Sequence, residues 1–356
     1  MNVMAFYRGR RVFITGHTGF KGSWLCRMLT GAGAIVTGYA LEPPAGASLF
    51  ALSGVGGKIA SVVGDVRDFS RLRAAYEAAR PEVVFHLAAQ PIVREGYRDP
   101  RGTYETNAMG TVNLMECVRL APGARSVLNV TTDKVYKNLE RVEGYREDEP
   151  LDGFDPYSNS KSCSELVTHS YASSFFGGPD APAVSTARAG NVIGGGDFAA
   201  DRIIPDCVRA AAAGRAIGVR NPDSVRPYQH VLEPLYAYLM IAAGQHEDRR
   251  LAGWYNVGPD DGDCLTTGEL VELFCRAWGG GARWENKAEA SAPHEASLLR
   301  LDCGKLRRTF DWAPRWRIGR AVAETVAWSR VWLAGGDVPA EMDREINAFL
   351  GEKSDG

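Results

Sequence analysis

A chain of 356 residues, 45% hydrophobic and 24% charged, is long enough for a large core and about two domains. Its formal net charge of −2 argues against a polyanion-binding surface, so nucleic acid is not an expected partner. No run approaches the roughly 20 apolar residues of a membrane span, and none before Arg11 resembles a signal peptide. The seven cysteines (26, 117, 163, 207, 264, 275, 303) form no CxxC pairs, so reduced thiols, a cytoplasmic location and no metal site are expected.

Through the first half, short β-rich runs alternate with helical stretches. Residues 11–15, 34–40, 60–63, 83–88 and 127–131 read as buried parallel strands, with helices over 22–30, 70–79 and 103–120 between them. This α/β alternation predicts a doubly wound parallel Rossmann sheet, with ligands at the carboxyl ends of its strands. From Asn191 the pattern breaks into Gly/Pro-rich loops, short strands and helices, as expected of a smaller α/β substrate-binding region. The division expected is residues 1–190 for the dinucleotide domain, with return segments near 228–260, and 191–227 plus 261–356 for the substrate region. Residues 352–356 are expected to fray.

The first strand runs into Gly16-His17-Thr18-Gly19-Phe20-Lys21-Gly22 and then a helix. Glycines three apart at that place allow a tight turn and close backbone approach to a pyrophosphate, which the helix N-terminus favours. Lys21 and His17 are placed to add phosphate contacts, a solvated lysine being the alternative at 21. The second strand ends at Leu41-Glu42; neither a carboxylate nor an arginine sits squarely there, so NAD and NADP stay open. After the third strand, Asp65 of Asp65-Val66-Arg67 is placed to accept from an adenine amino group, whereas Asp68 reads as a helix cap. Small residues at Leu87-Ala88-Ala89 let a cofactor lie across the sheet edge.

The fifth strand ends in Thr131-Thr132-Asp133-Lys134, polar residues that suit a site better than a core; a surface ion pair is the alternative. Tyr157 and Lys161 lie four apart, so in a helix they share a face, and a nearby cation lowers a phenol toward the range of a general base. Such pairs also occur on solvated helix faces. Asn191 can reach a substrate diphosphate or simply occupy a turn, Arg226 supplies a fixed positive charge, and Arg300 is either a further cation or a solvated strand residue.

Gly-x-x-Gly-x-x-Gly, Asp65-Val66-Arg67, Thr132 and Tyr157-x-x-x-Lys161, in this order, resemble the extended short-chain dehydrogenase/reductase family and its NAD-dependent epimerase/dehydratase group. Residues 15–25, Leu41-Glu42-Pro43-Pro44, Thr132-Asp133-Lys134 and 188–197 narrow the resemblance to its CDP-glucose 4,6-dehydratase branch, as do Arg220-Asn221-Pro222, 226–234 and Pro293-His294-Glu295-Ala296. The resemblance implies bound NAD and a nucleotide-sugar substrate, with CDP-glucose favoured. Tyr157 would be the base on the glucose 4-hydroxyl, Lys161 would lower its pKa and bind the nicotinamide ribose, and Thr132 would bond the same oxygen. Asp133 and Lys134 would handle water loss. Gly16, His17, Gly19, Phe20, Lys21, Gly22, Asp65, Val66, Leu87, Ala88 and Ala89 would line the cofactor, and Gln90, Asn191, Arg226 and Arg300 the substrate. Two positions depart from the pattern: Gly96 stands where a Ser is expected, and Val135 where a Cys is common.

A dehydratase for another nucleotide, a 4-epimerase, and a non-catalytic dinucleotide sensor or scaffold on the same fold are the competing readings. Apolar positions along 103–120 and 162–176 fit either burial within one subunit or packing across a two-fold axis, so a homodimer or homotetramer is expected.

Overall fold

The computed structural model describes residues 2–43, 45–287 and 298–351. Pro44, the Pro293–Ala296 motif and residues 352–356 therefore lie outside the described residues. Seven parallel strands form the central sheet: β1 (Arg11–Thr15), β2 (Ile35–Ala40), β3 (Ala60–Val63), β4 (Val83–His86), β5 (Ser126–Thr132), β6 (Ala183–Ala189) and β11 (Trp254–Val257). Their order is β11-β6-β5-β4-β1-β2-β3, so the chain reverses direction across the sheet beside β1 and β4. That switch point opens the crevice where α/β sheets bind ligands. β4, β5 and β6 are buried along their whole length, which is why they read as continuous apolar or small-residue runs rather than alternating ones.

Six helices matter here: α1 (Phe20–Gly31), α2 (Phe69–Ala79), α3 (Val93–Arg98), α4 (Gly110–Leu120), α5 (Pro156–Phe175) and α6 (Leu232–Glu247). One apolar layer holds Trp24, Leu25, Leu128, Leu235 and Tyr238 against one face of the sheet. The other holds Phe13, Tyr76, Val84, Leu114 and Val127. The helix expected over 103–120 is instead two helices joined by a π turn at Glu105–Met109. The buried Asn107 in that turn bonds the Gln90 backbone and Ser160, so side-chain contacts fix the irregular stretch. α6 packs on β5 and β6, and β11 extends the sheet from residue 254, so the chain returns to the first layer after leaving it.

The remaining strands cover the crevice in pairs: β7 (Val192–Ile193) with β10 (Gln229–His230), β9 (Val225–Pro227) with β12 (Cys264–Thr266), and β8 (Ile217–Val219) with β13 (Trp284–Asn286). A third apolar cluster, with Ile204, Phe274 and Val322, lies beneath them.

Candidate active site

The glycine turn is a close-packed joint. Gly16 ends β1 with φ +80, and a methyl there would stand 2.7 Å from the Ala88 nitrogen. A methyl on Gly22 would fall 2.2 Å from the Gly16 carbonyl oxygen. Gly19 differs: it N-caps α1 with no side-chain cap, and its nearest neighbour would be that same oxygen at 3.4 Å. The uncapped first turn of α1, Phe20 and Lys21 included, opens on a cavity of about 720 Å³. Leu87, Ala88 and Ala89 after β4, and Asp65 and Val66 after β3, form the adjoining wall.

His17 does not join them. Gly38 leaves a slot in β2 that the imidazole fills, its Nε2 meets Ser61 Oγ at 2.7 Å, and Phe50 packs edge-on. Burial lowers it to about 4, so it is a neutral ring turned from the cavity and not a phosphate cation. At the far end of the same wall stand two carboxylates, Glu42 and Asp65. Asp65 is gripped by Arg67 at 2.6 and 2.9 Å, which holds it below the usual carboxylate range.

α5 carries the pair anticipated from sequence. Asp155 caps it by accepting from Ser158 N at 3.0 Å, and Pro156 starts it, so Tyr157 and Lys161 occupy its first turns on one face. Both line the cavity beside Thr132 and Lys134. The Thr132 hydroxyl donates to Asp133 Oδ1 at 3.0 Å and also meets the Tyr157 phenol, whose pKa that bond lowers. Burial outweighs it and pushes Tyr157 up to about 12. The expected lowering by Lys161 is not what this arrangement produces: its Nζ donates to the Val130 carbonyl at 2.9 Å, and burial brings it down to about 8.

Asp133 is buried against Gly190, and its carboxyl is raised by that burial despite the opposing charges of Lys134, Arg226 and Lys21. Oδ2 has no hydrogen-bond partner among the described residues. Burial thus shifts this carboxyl toward its protonated form, the form a general acid needs. Lys21, lowered to about 7 by burial and then by Arg202, is a second proton-labile group at the cavity floor.

Behind these groups several polar side chains are tied into the scaffold. Thr15 and Thr111 hold the two nitrogens of the buried His86 at 2.6 and 3.2 Å. Gln90 belongs to this scaffold: its amide donates to Ile92 O and Thr103 Oγ1 and accepts from Ile92 N, so the side chain folds into its own loop and not toward the cavity.

On the substrate side Asn191 and Arg226 line the cavity, and Arg226 is 3% exposed. Arg300 lies off this wall: its carbonyl accepts from Tyr145 N, and its guanidinium lies near Cys264. Sequence reasoning assigned no role to Arg94, Asp201, Arg202 and Arg220, all on the wall. Asp201, held at φ +61, takes Arg220 at 2.9 Å and Arg94 at 3.6 Å, joining α3 to the covering region. The available signals were the cluster Asp197-Phe198-Ala199-Ala200-Asp201-Arg202 straight after three glycines and the Arg220-Asn221-Pro222 motif, to which no role was attached.

A parallel sheet with a glycine turn at its switch point, and a helical Tyr–Lys pair opening on the same cavity, defines the short-chain dehydrogenase/reductase class. The chain belongs to the GDP-mannose 4,6 dehydratase family, whose sequence profile matches residues 13–325. Over 350 residues, 97% of either chain, it is 45% identical to the CDP-glucose 4,6-dehydratase of Salmonella typhimurium. In fold it matches DesIV, the dTDP-glucose 4,6-dehydratase of Streptomyces venezuelae solved with NAD, at TM-score 0.79 and 24% identity over 92% of this chain and 99% of that one. The epimerase Mth375 of Methanothermobacter thermautotrophicus superposes at 0.81 with 20% identity, over 94% and 96%.

Proposed function

We propose that this protein is an NAD-dependent 4,6-dehydratase that converts CDP-glucose to CDP-4-keto-6-deoxyglucose. The observation that carries the reading is Asp133, a buried carboxyl with a raised pKa beside Thr132 and Tyr157. An epimerase needs the Tyr–Lys–Thr set alone and has no use for a protonated acid at that strand end. The 45% identity to a CDP-glucose enzyme supports the choice of base.

The residues present fit NAD. The uncapped α1 N-terminus suits a pyrophosphate, and Glu42 and Asp65 suit hydroxyl and amino donors better than a 2′-phosphate. Bound there, NAD supplies a hydride acceptor that later becomes the hydride donor. Tyr157 takes the proton of the glucose 4-hydroxyl as C4 loses its hydride, with Thr132 bonded to the same oxygen. The resulting ketone acidifies the C5 hydrogen. Lys134 acts at C5, as base or as fixed cation for the enolate. Asp133 delivers its proton to the departing 6-hydroxyl, which leaves as water; C6 then receives the hydride taken from C4 and C5 takes back a proton, so the net change is loss of water. Arg226 and Asn191 hold the diphosphate.

Residues 1–190 with 228–260 form the cofactor domain in this reading, and the remainder covers the sugar. Exposed Met109, Leu120, Leu166 and Phe175 on the α4–α5 side offer a homodimer face, and seven free cysteines suit a reducing cytoplasm. Light scattering tests the dimer.

The reading is tested by incubating the protein with CDP-, UDP-, GDP- and dTDP-glucose in parallel and following the alkaline absorbance of a 4-keto-6-deoxy product. Turnover of CDP-glucose is expected. Turnover of another nucleotide alone would correct the base, and a 4-epimer as product would overturn the dehydratase assignment.

A further inference from the structure

α5 places a third ionisable residue on the face that bears Tyr157 and Lys161. Glu165 follows Lys161 by four residues, as Lys161 follows Tyr157, and it is fully buried. Four donors from three elements pin its carboxylate: Thr131 of β5, Thr186 of β6 at 2.7 Å, Arg188 of β6 at 2.9 Å, and His169 of α5 at 3.1 Å. Such a density of charge-assisted bonds keeps a carboxylate ionised in a dry interior. They hold Glu165 down to about 2, against its own burial.

The groups that face the Lys161 ammonium can be named element by element. Tyr157 and Glu165 come from its own helix, Lys21 from α1 and His86 from β4, while β5 offers the Val130 carbonyl. Lys21 is of like charge, and His86 is lowered to about 3 by burial and so is neutral. Of these, Glu165 alone is an anion at neutral pH. We infer that Glu165 is a positioning residue of the catalytic pair: its clamped carboxylate keeps the Lys161 ammonium charged in a setting that otherwise favours the free amine. The Lys161 value of about 8 is the balance of burial, which lowers it, and Glu165, which raises it. Tyr136 and Arg188 face Glu165 from the far side, so the carboxylate joins the internal ion pair to the reacting groups.

This inference rests on the dehydratase reading only for its activity arm. The direct arm is a 13C titration of protein labelled at lysine Cε, with the Lys161 signal identified by its loss in Lys161→Met. In Glu165→Gln the midpoint of that signal is expected to fall by at least about one pH unit, a tenfold change in the proton equilibrium. Activity needs the charged lysine and is lost as pH rises through its pKa, so the alkaline limb of the pH–rate profile moves to lower pH by the same amount. Glu165→Asp, which keeps the charge, leaves both in place. A purely structural Glu165 would depress turnover at every pH and leave midpoint and limb unmoved, which overturns the inference. Glu165→Gln strands a buried Arg188; if it fails to fold, Glu165→Gln with Arg188→Met is read by the same two criteria. Inactivity of the wild type on nucleotide sugars would refute the dehydratase reading and leave the 13C result standing.

Discussion

Gly16 and Gly19 occupy one turn, three residues apart, yet alanine should damage them in different ways. At Gly16 the backbone sits at φ +80, a region that costs an L side chain roughly 1–2 kcal/mol. The new methyl would also lie 2.7–2.9 Å from main-chain atoms of Leu87 and Ala88, which cannot swing aside as a side chain would. Such overpacking adds about 1–3 kcal/mol. The sum, about 2–5 kcal/mol, is a large share of a typical folding stability and should lower Tm by on the order of 10 °C. At Gly19 φ is −79, and the methyl meets its nearest atom at 3.4 Å, so the stripped protein should stay within about 0.5 kcal/mol of wild type. What Gly19→Ala loses is backbone approach to the dinucleotide. NAD at a hundred times its Kd stabilises the wild type by about 2.7 kcal/mol, and a tenfold weaker affinity removes about 1.3 of that. Melting curves of cofactor-stripped protein across an NAD series separate the two effects. Wild-type NAD affinity in Gly19→Ala, or an equal loss of Tm in both stripped variants, would refute the argument.

Three further outcomes follow from the reacting groups. Tyr157→Phe should abolish both transient reduced nicotinamide, read as absorbance, and product; surviving hydride transfer would contradict the role of the phenol. Lys134→Met should still oxidise C4 but stop deuterium exchange at C5 from heavy water, and undiminished exchange would remove Lys134 from that step. Asp133→Asn should cut dehydration by about 10²–10⁴-fold. It should also stabilise the fold at about pH 7–8, because a carboxyl raised by burial costs stability as pH climbs from its unfolded pKa through its folded one. Near pH 3 the variant and wild type should converge, and a wild-type melting curve independent of pH over this span would disprove the sign.

The sheet was readable because its central strands β4, β5 and β6 are buried on both faces and its turns carry glycines; the edge strand β3, expected to be buried, is exposed or half-buried along its length. β1 and β3 begin and end where the apolar runs do. The Tyr157–Lys161 spacing likewise put both on one helical face, which the structure bears out with Asp155 and Pro156 starting the helix. What stayed hidden depends on which hydrogen-bond or packing partner claims each side chain. His17 turns away because Gly38, on the next strand, leaves a slot for its ring. Gln90 is consumed by Ile92 and Thr103, and Arg300 is carried off by its pairing near Tyr145. Periodicity places a residue on a face; it does not say which hydrogen bond claims the side chain. The Arg94–Asp201–Arg220 contact was out of reach for the same reason, since it joins segments about a hundred residues apart.

The charges of this molecule divide by what surrounds them. Behind the sheet, Glu165 and Arg188 are clamped by several partners, so each stays ionised at any working pH. Lys21, Lys161 and Tyr157 on the cavity wall, and Asp133 buried next to it, have few partners, and every one is shifted toward its neutral form. Desolvation without full compensation brings Lys21 and Lys161 to about 7 and 8 and lifts Asp133 in the same direction, whereas it carries the Tyr157 phenol away from neutrality. Lys161 sits at the border of the two sets, bonded to a backbone carbonyl and one helical turn from a permanent anion. A reaction that moves a proton off O4, another off C5 and a third onto the leaving oxygen needs several poised groups in one cavity. It also needs a fixed charge close by to keep them from neutralising all at once, and α5 supplies that charge at Glu165 on the face that bears Tyr157 and Lys161.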